Sequence, residues 1–348
     1  MTRSAVIVIA IIAVQRNVVA QAVELHPRSP ILFLEKSYFF PGAPYKRSLL
    51  FEGEAAGHYF IMNRLDWTWT QTGGLRHTIP VSMVFSVRMS TDKSEPVRTP
   101  SYRIGIKPQL IYAWPEGKEA RAFQVLGLSG GFTHYSNGQA GCTYLGFARS
   151  EPDQECMVTD PTLASRRVAN AIDGDFSTSY LSLAVHGLKG AHYGIRGPVK
   201  YQHTASVEFQ LHPLGIKPGG MNAQQATEYG QHVLTTSYEF ERRMVLGKRA
   251  RGLLRTALTG GHRFAYRGGR DWTYGTIEAS YVFDCLQKFG FVARWHLGSD
   301  YYNINFQDTR PLLGLGLIWD PNRIDAFNRI GRGSNPPKSL KVYTCKGN

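Results

Sequence analysis

The chain has 348 residues, with 40 Lys+Arg against 26 Asp+Glu and a formal net charge of +14. Apolar residues at 43% and aromatics at 12%, with only 19% charged, exclude a disordered chain. No run of 18 or more apolar residues occurs, which argues against a helical membrane protein. The positive charge comes without a dense Lys/Arg run, zinc-ligand spacing or RNA-binding aromatic motif, so no nucleic-acid partner is expected.

In chain order, Arg3 precedes the apolar run 5–14, and Ala20-Gln21-Ala22 forms an A-x-A-like cleavage site. Residues 1–22 therefore read as a secretory signal peptide, and 23–44 as an N-terminal periplasmic segment. From 45 to 320 the pattern is of long strands separated by turns. The candidates are 46–55, 58–71, 77–91, 101–114, 120–137, 175–189, 199–213, 232–244, 256–268, 273–286, 289–303 and 310–320. Twelve is an even number, and each strand is long enough to cross a bilayer on a tilt. An all-β, twelve-stranded antiparallel transmembrane β-barrel is the expected fold, in a bacterial outer membrane; a soluble secreted β protein ranks last.

Alternation along the strands agrees. Leu313, Leu315, Leu317 and Trp319 share one face, with Gly314, Gly316 and Ile318 between them, as for a wall with lipid outside and a filled lumen. Trp67 and Trp69 share a face of their expected strand, beside Asp66, and read as an interfacial girdle. Trp114-Pro115-Glu116-Gly117 is a tight periplasmic turn, and 138–174 a long polar loop at the outer surface. Residues 321–348 form a basic periplasmic tail. Export permits disulfides; 142–156 and 285–345 are the favoured pairs among the three pairings that Cys142, Cys156, Cys285 and Cys345 allow.

The segment 131–139 carries the chemistry. His134 and Ser136 are two apart, so both project from one face of a strand. Leu126, Leu128 and Phe132 occupy that face, which makes it the lipid side. A histidine and a serine on a lipid-facing wall are costly and need a reason. A histidine that takes the serine proton activates the hydroxyl toward an ester carbonyl, and lipid esters lie at about that depth.

His134-Tyr135-Ser136-Asn137-Gly138 resembles the H-x-S-N-G signature of the outer-membrane phospholipase A family. The segment 303–310, followed by 313–320, is similar to that family's last loop and last strand. Ser94-Glu95-Pro96-Val97-Arg98, then Lys107-Pro108-Gln109-Leu110, resembles the segment leading to its active-site hairpin. The resemblance implies a twelve-stranded barrel, with Ser136 as nucleophile and His134 as general base. It implies an Asn on the next strand to orient the histidine; aligning on Tyr180 puts Ser177 there, and Asp175 is the alternative by charge. It also implies a calcium ion, with Ser94 and the Gln139 carbonyl at ligand positions, a reversible homodimer, and membrane phospholipid as substrate. Two positions depart from the family: Val87 replaces a supporting Gln, and Gln139 an Arg. A lipid A deacylase, favouring Asp175, is the second enzyme reading. A catalytically inactive barrel, structural or a narrow pore, is the alternative from another class.

Overall fold

The computed structural model describes residues 33–41, 49–65, 69–90, 100–117, 121–136, 143–144, 168–170, 177–192, 199–215, 219–221, 226, 230–246, 250–264, 273–283, 289–298 and 311–319. Residues 1–22, expected as a signal peptide, and 321–348, expected as a tail, lie outside them, as do Trp67, Ser94, Gln139, Asp175 and all four cysteines.

Twelve strands make the wall. They are β1 (Ser37–Pro41), β2 (Leu49–Asn63), β3 (Gly74–Ser90), β4 in two parts (Ser101–Ile106 and Gln109–Glu116), β5 (Ala122–Ser136), β6 (Ser177–His192), β7 (Val199–Leu211), β8 (His232–Leu246), β9 (Ala250–Phe264), β10 (Thr273–Phe283), β11 (Phe289–Gly298) and β12 (Leu312–Trp319). Each pairs antiparallel with its neighbours in the chain, and β1 also pairs with β12, which closes the barrel. Lys107-Pro108 interrupts β4 because proline lacks the N–H that a ladder requires. In the long loop Thr143–Tyr144 pairs with Val168–Asn170.

The expected count of twelve holds, but its composition changes. The expected strands 46–55 and 58–71 are one strand, β2, which runs through Ala55-Ala56-Gly57 without turning. The missing member is β1, inside the segment expected to precede the barrel. Five residues ending in proline give too short an alternation to be read as a wall strand. Trp69 is not in a girdle: it opens a single helical turn, α1 (Trp69–Thr72), and is 1% exposed.

Outward residues form an apolar band that includes Met83, Leu126, Leu183, Val207, Leu258, Phe291 and Leu315, all exposed. A surface of this kind belongs against hydrocarbon. Aromatic pairs sit toward the short-turn end: Tyr112 with Trp114, Tyr281 with Phe283, Phe283 with Phe291, and Phe289 with Trp319. They make the lower aromatic belt that such barrels carry.

The lumen is filled. Glu52 is paired with Arg88 at 2.5 Å and accepts from the Tyr38 hydroxyl at 3.1 Å. Glu54 takes Arg103 at 2.7 Å, Glu239 takes Lys36 and Arg255, and Glu278 takes Arg255 and Arg294. Cations shared between carboxylates offset the desolvation that each buried charge suffers. The stretch just before β1 crosses this lumen. Phe33 stacks on His186 with ring centroids 4.0 Å apart, and the Glu35 carbonyl lies 3.0 Å from His58 Nε2. At the short-turn end Leu65, Trp69, Ile111, Phe123, Val125, Leu188 and Val199 form an apolar plug.

Candidate functional site

The two expected catalytic side chains lie near the end of β5. Along this strand Phe123, Val125 and Ser129 are buried inward, while Leu126, Leu128 and Phe132 are exposed outward. His134 and Ser136 continue the outward series and are half-buried. The ladder sets Ser136 between Tyr102 of β4 and Ser177 of β6, and His134 between Ile104 and Ser179. Tyr102, Ile104 and Ile106 are exposed on the same face, so the polar pair sits at the upper margin of an apolar wall.

Ten residues separate His134 from Gln124, the partner of Trp114 in the lower belt. At ~3.4 Å per residue on a tilt of ~40° this is roughly 25 Å, about the height of a barrel's apolar band. The hydroxyl and imidazole thus stand about one apolar-band height above the lower aromatic belt.

His134 Nδ1 lies 3.2 Å from the Ser179 hydroxyl. Ser177, the expected third residue, pairs in register with Ser136, two residues nearer the strand end, and Ser179 is the side chain at the imidazole. Ser179 is 6% exposed. Its backbone N–H donates to the carbonyl of Gly219, which returns from the β7–β8 connection. Gly219 has φ +98°, and a Cβ there would lie 2.6 Å from Ser179 Oγ and 3.8 Å from His134 Nδ1. Only glycine satisfies both the conformation and the space. Neither Ser179 nor Gly219 was singled out from the sequence; the only signal was that Ser179 shares the parity of Ser177.

Beneath this arrangement Thr178 faces inward, fully buried, with its hydroxyl 3.5 Å from His212 Nδ1. Burial pushes the His212 imidazole down to about 3, with Arg263 and His232 nearby acting the same way. The connection is tied further by the Met221 N–H to the Pro213 carbonyl and the Gly215 N–H to the Met221 carbonyl.

Val87 stands on β3 opposite Gly53, on the outward face. The row through Ser136 and Tyr102 meets β3 at Phe85, whose ring centroid is 5.3 Å from that of Tyr102. An aromatic contact therefore borders the site on that side. Among the described residues no cluster of His, Cys, Asp or Glu is arranged to hold a metal ion. Ser94 and Gln139, the expected calcium positions, lie outside the described residues, as does Asp175.

Fold and site together define a closed twelve-stranded transmembrane barrel with a histidine–serine pair on its lipid-facing wall. Among solved structures the chain is similar in fold to outer membrane phospholipase A from Escherichia coli, at 12% identity and a TM-score of 0.44, covering 84% of this chain and 98% of that one. It is similar also to a dimeric outer membrane phospholipase of Salmonella typhi with bound calcium, at 12% identity and a TM-score of 0.44, covering 88% and 98%. No protein-family model and no curated protein sequence matches the chain.

Proposed function

We propose that this chain is an acyl-ester hydrolase of membrane phospholipids, acting from the outer wall of a barrel in the bacterial outer membrane. The observation that carries the reading is the placement of His134 and Ser136 on the lipid-facing wall, with Ser179 on the imidazole Nδ1.

The chemistry follows from the tautomer that carries its proton on Nδ1, which Ser179 Oγ can accept. With the proton on Nδ1 donated to Ser179, the His134 Nε2 lone pair is left to act as base. Nε2 takes the Ser136 proton as Oγ attacks the ester carbonyl. The tetrahedral adduct collapses, the C–O bond to the glycerol backbone breaks, and His134 returns the proton to the departing lysolipid. Water, deprotonated by the same nitrogen, then releases the fatty acid and restores the hydroxyl. The hydrocarbon beside the site brings the substrate by lateral diffusion, with no need for the lipid to leave its leaflet.

The test is fatty-acid release from phosphatidylcholine by the chain refolded in detergent, run with calcium and with chelator. Release that disappears in Ser136→Ala and in His134→Ala is the expected result. Wild-type release in Ser136→Ala would overturn the proposal. The comparison with chelator tests the calcium dependence that the sequence resemblance implies.

A further inference from the structure

Away from that site, near the short-turn end, the outward face of β6, β7 and β8 departs from the apolar band. Lys189 on β6 pairs in register with His203 on β7, which pairs with Phe240 on β8. In the neighbouring row Ala191 pairs with Tyr201, and Tyr201 with Arg242. The side chains form one surface. The His203 ring centroid lies 4.7 Å from that of Phe240 and 5.9 Å from that of Tyr201, and His203 Nδ1 lies 2.6 Å from the Tyr238 hydroxyl.

Two cations flank this aromatic floor. Lys189 is 63% exposed and Arg242 is exposed. Among the described residues Arg242 has no ion-pair partner, and Lys189 has only Glu116 at 3.9 Å, an exposed pair of the kind that contributes little. A cation on the lipid side of a barrel is tolerated near the interface and strongly destabilising at the midplane. The inward cations Arg88, Arg255 and Arg294 are paired with carboxylates, whereas these two point to lipid.

We propose that this surface binds the headgroup of an anionic phospholipid in the leaflet opposite the histidine–serine site. Lys189 and Arg242 are two strand spacings and one same-face step along the strands apart, roughly 12 Å between backbones, and their long side chains reach one phosphodiester from both sides. The charge is complementary, and Tyr201, His203, Tyr238 and Phe240 supply the amphipathic surface that packs against glycerol and upper acyl carbons. The occupant differs from a substrate: it is held at the other face of the membrane.

The full chain is refolded in micelles doped with equal amounts of ether-linked phosphatidylglycerol and ether-linked phosphatidylcholine, and the retained lipids are quantified. Ether linkages cannot be hydrolysed, so the outcome is independent of any esterase activity. The wild type is expected to retain phosphatidylglycerol preferentially, by roughly fivefold for each cation. Lys189→Gln with Arg242→Gln is expected to bring retention to parity, while Lys189→Arg with Arg242→Lys keeps the preference. Circular dichroism confirms that each variant retains its barrel. Parity in the wild type, or a preference that survives the double Gln variant, overturns the proposal. So does displacement of the lipid by millimolar inorganic phosphate.

Discussion

Ser179 Oγ lies 3.2 Å from His134 Nδ1, and its own backbone N–H is held by a carbonyl from a distant connection. Removing its hydroxyl leaves the ring free to turn and to exchange tautomers. Ser179→Ala is expected to lower kcat about tenfold, the equivalent of one orienting hydrogen bond, with KM unchanged. Ser177→Ala, opposite Ser136 but off the imidazole, is expected to stay close to the wild-type rate. Fatty-acid release by the two variants side by side distinguishes them. Gly219→Ala is expected to reduce activity as well, because its Cβ would press on Ser179 Oγ at 2.6 Å in a left-handed conformation. At this scale the sequence was half legible. H-x-S on an outward parity located the pair, since alternation is a property of one strand. The imidazole's partner depends on the register between β5 and β6, set by some forty residues of intervening loop, and no local pattern fixes it. Gly219 enters from still further along the chain.

The strands obey the lumen as much as the membrane. Arg88 and Glu52 are both nearly fully buried, so truncating one strands the other's charge. Arg88→Met is expected to destabilise the barrel by about 3–5 kcal/mol, and the further change Glu52→Gln to restore much of it. Urea unfolding in detergent measures both. The β7–β8 connection responds to acid through His212. Its folded value, about 3, lies below the ordinary value of 6.5, so the unfolded chain binds more protons between the two. Stability contributed there is complete above about 6.5 and is lost as the pH falls toward 3. Thermal melting across that range reports the loss. The alternating hydrophobic pattern made most wall strands readable in outline. It failed where chain direction and solvent exposure do not follow alternation. Trp67-Thr68-Trp69-Thr70 imitates a strand, yet Trp69 begins a turn of helix packed into the barrel's end. A strand as short as β1 has no period to display.

Taken whole, the molecule is a wall around a charged, packed interior. Paired Arg, Lys and Glu side chains, Phe33 against His186, and the apolar cluster around Trp69 together occupy the space that a channel would need. In planar bilayers the refolded chain is expected to give no porin-like conductance steps. A steady open conductance would return the narrow-pore alternative. The number and length of the strands indicated a barrel, and strand parity its outer face. The filling of the lumen rests on carboxylates and cations from strands far apart in sequence, which meet only once the cylinder has closed.

That closure has a consequence for how the molecule comes apart. The circle is completed where β1 meets β12, and among the described residues that junction is three pairs long: Ser37 with Trp319, Tyr38 with Ile318, and Phe39 with Leu317. Neighbouring β5 and β6 share fifteen. A hoop fastened by so short a clasp parts first at the clasp. Amide protons of Tyr38 and Phe39 should therefore exchange with solvent before those of any long strand. The same clasp ties down the segment that crosses the lumen, so its release would draw Phe33 and Lys36 from the interior with it. The first and last strands would then act as a single latch, holding both the ring and its contents.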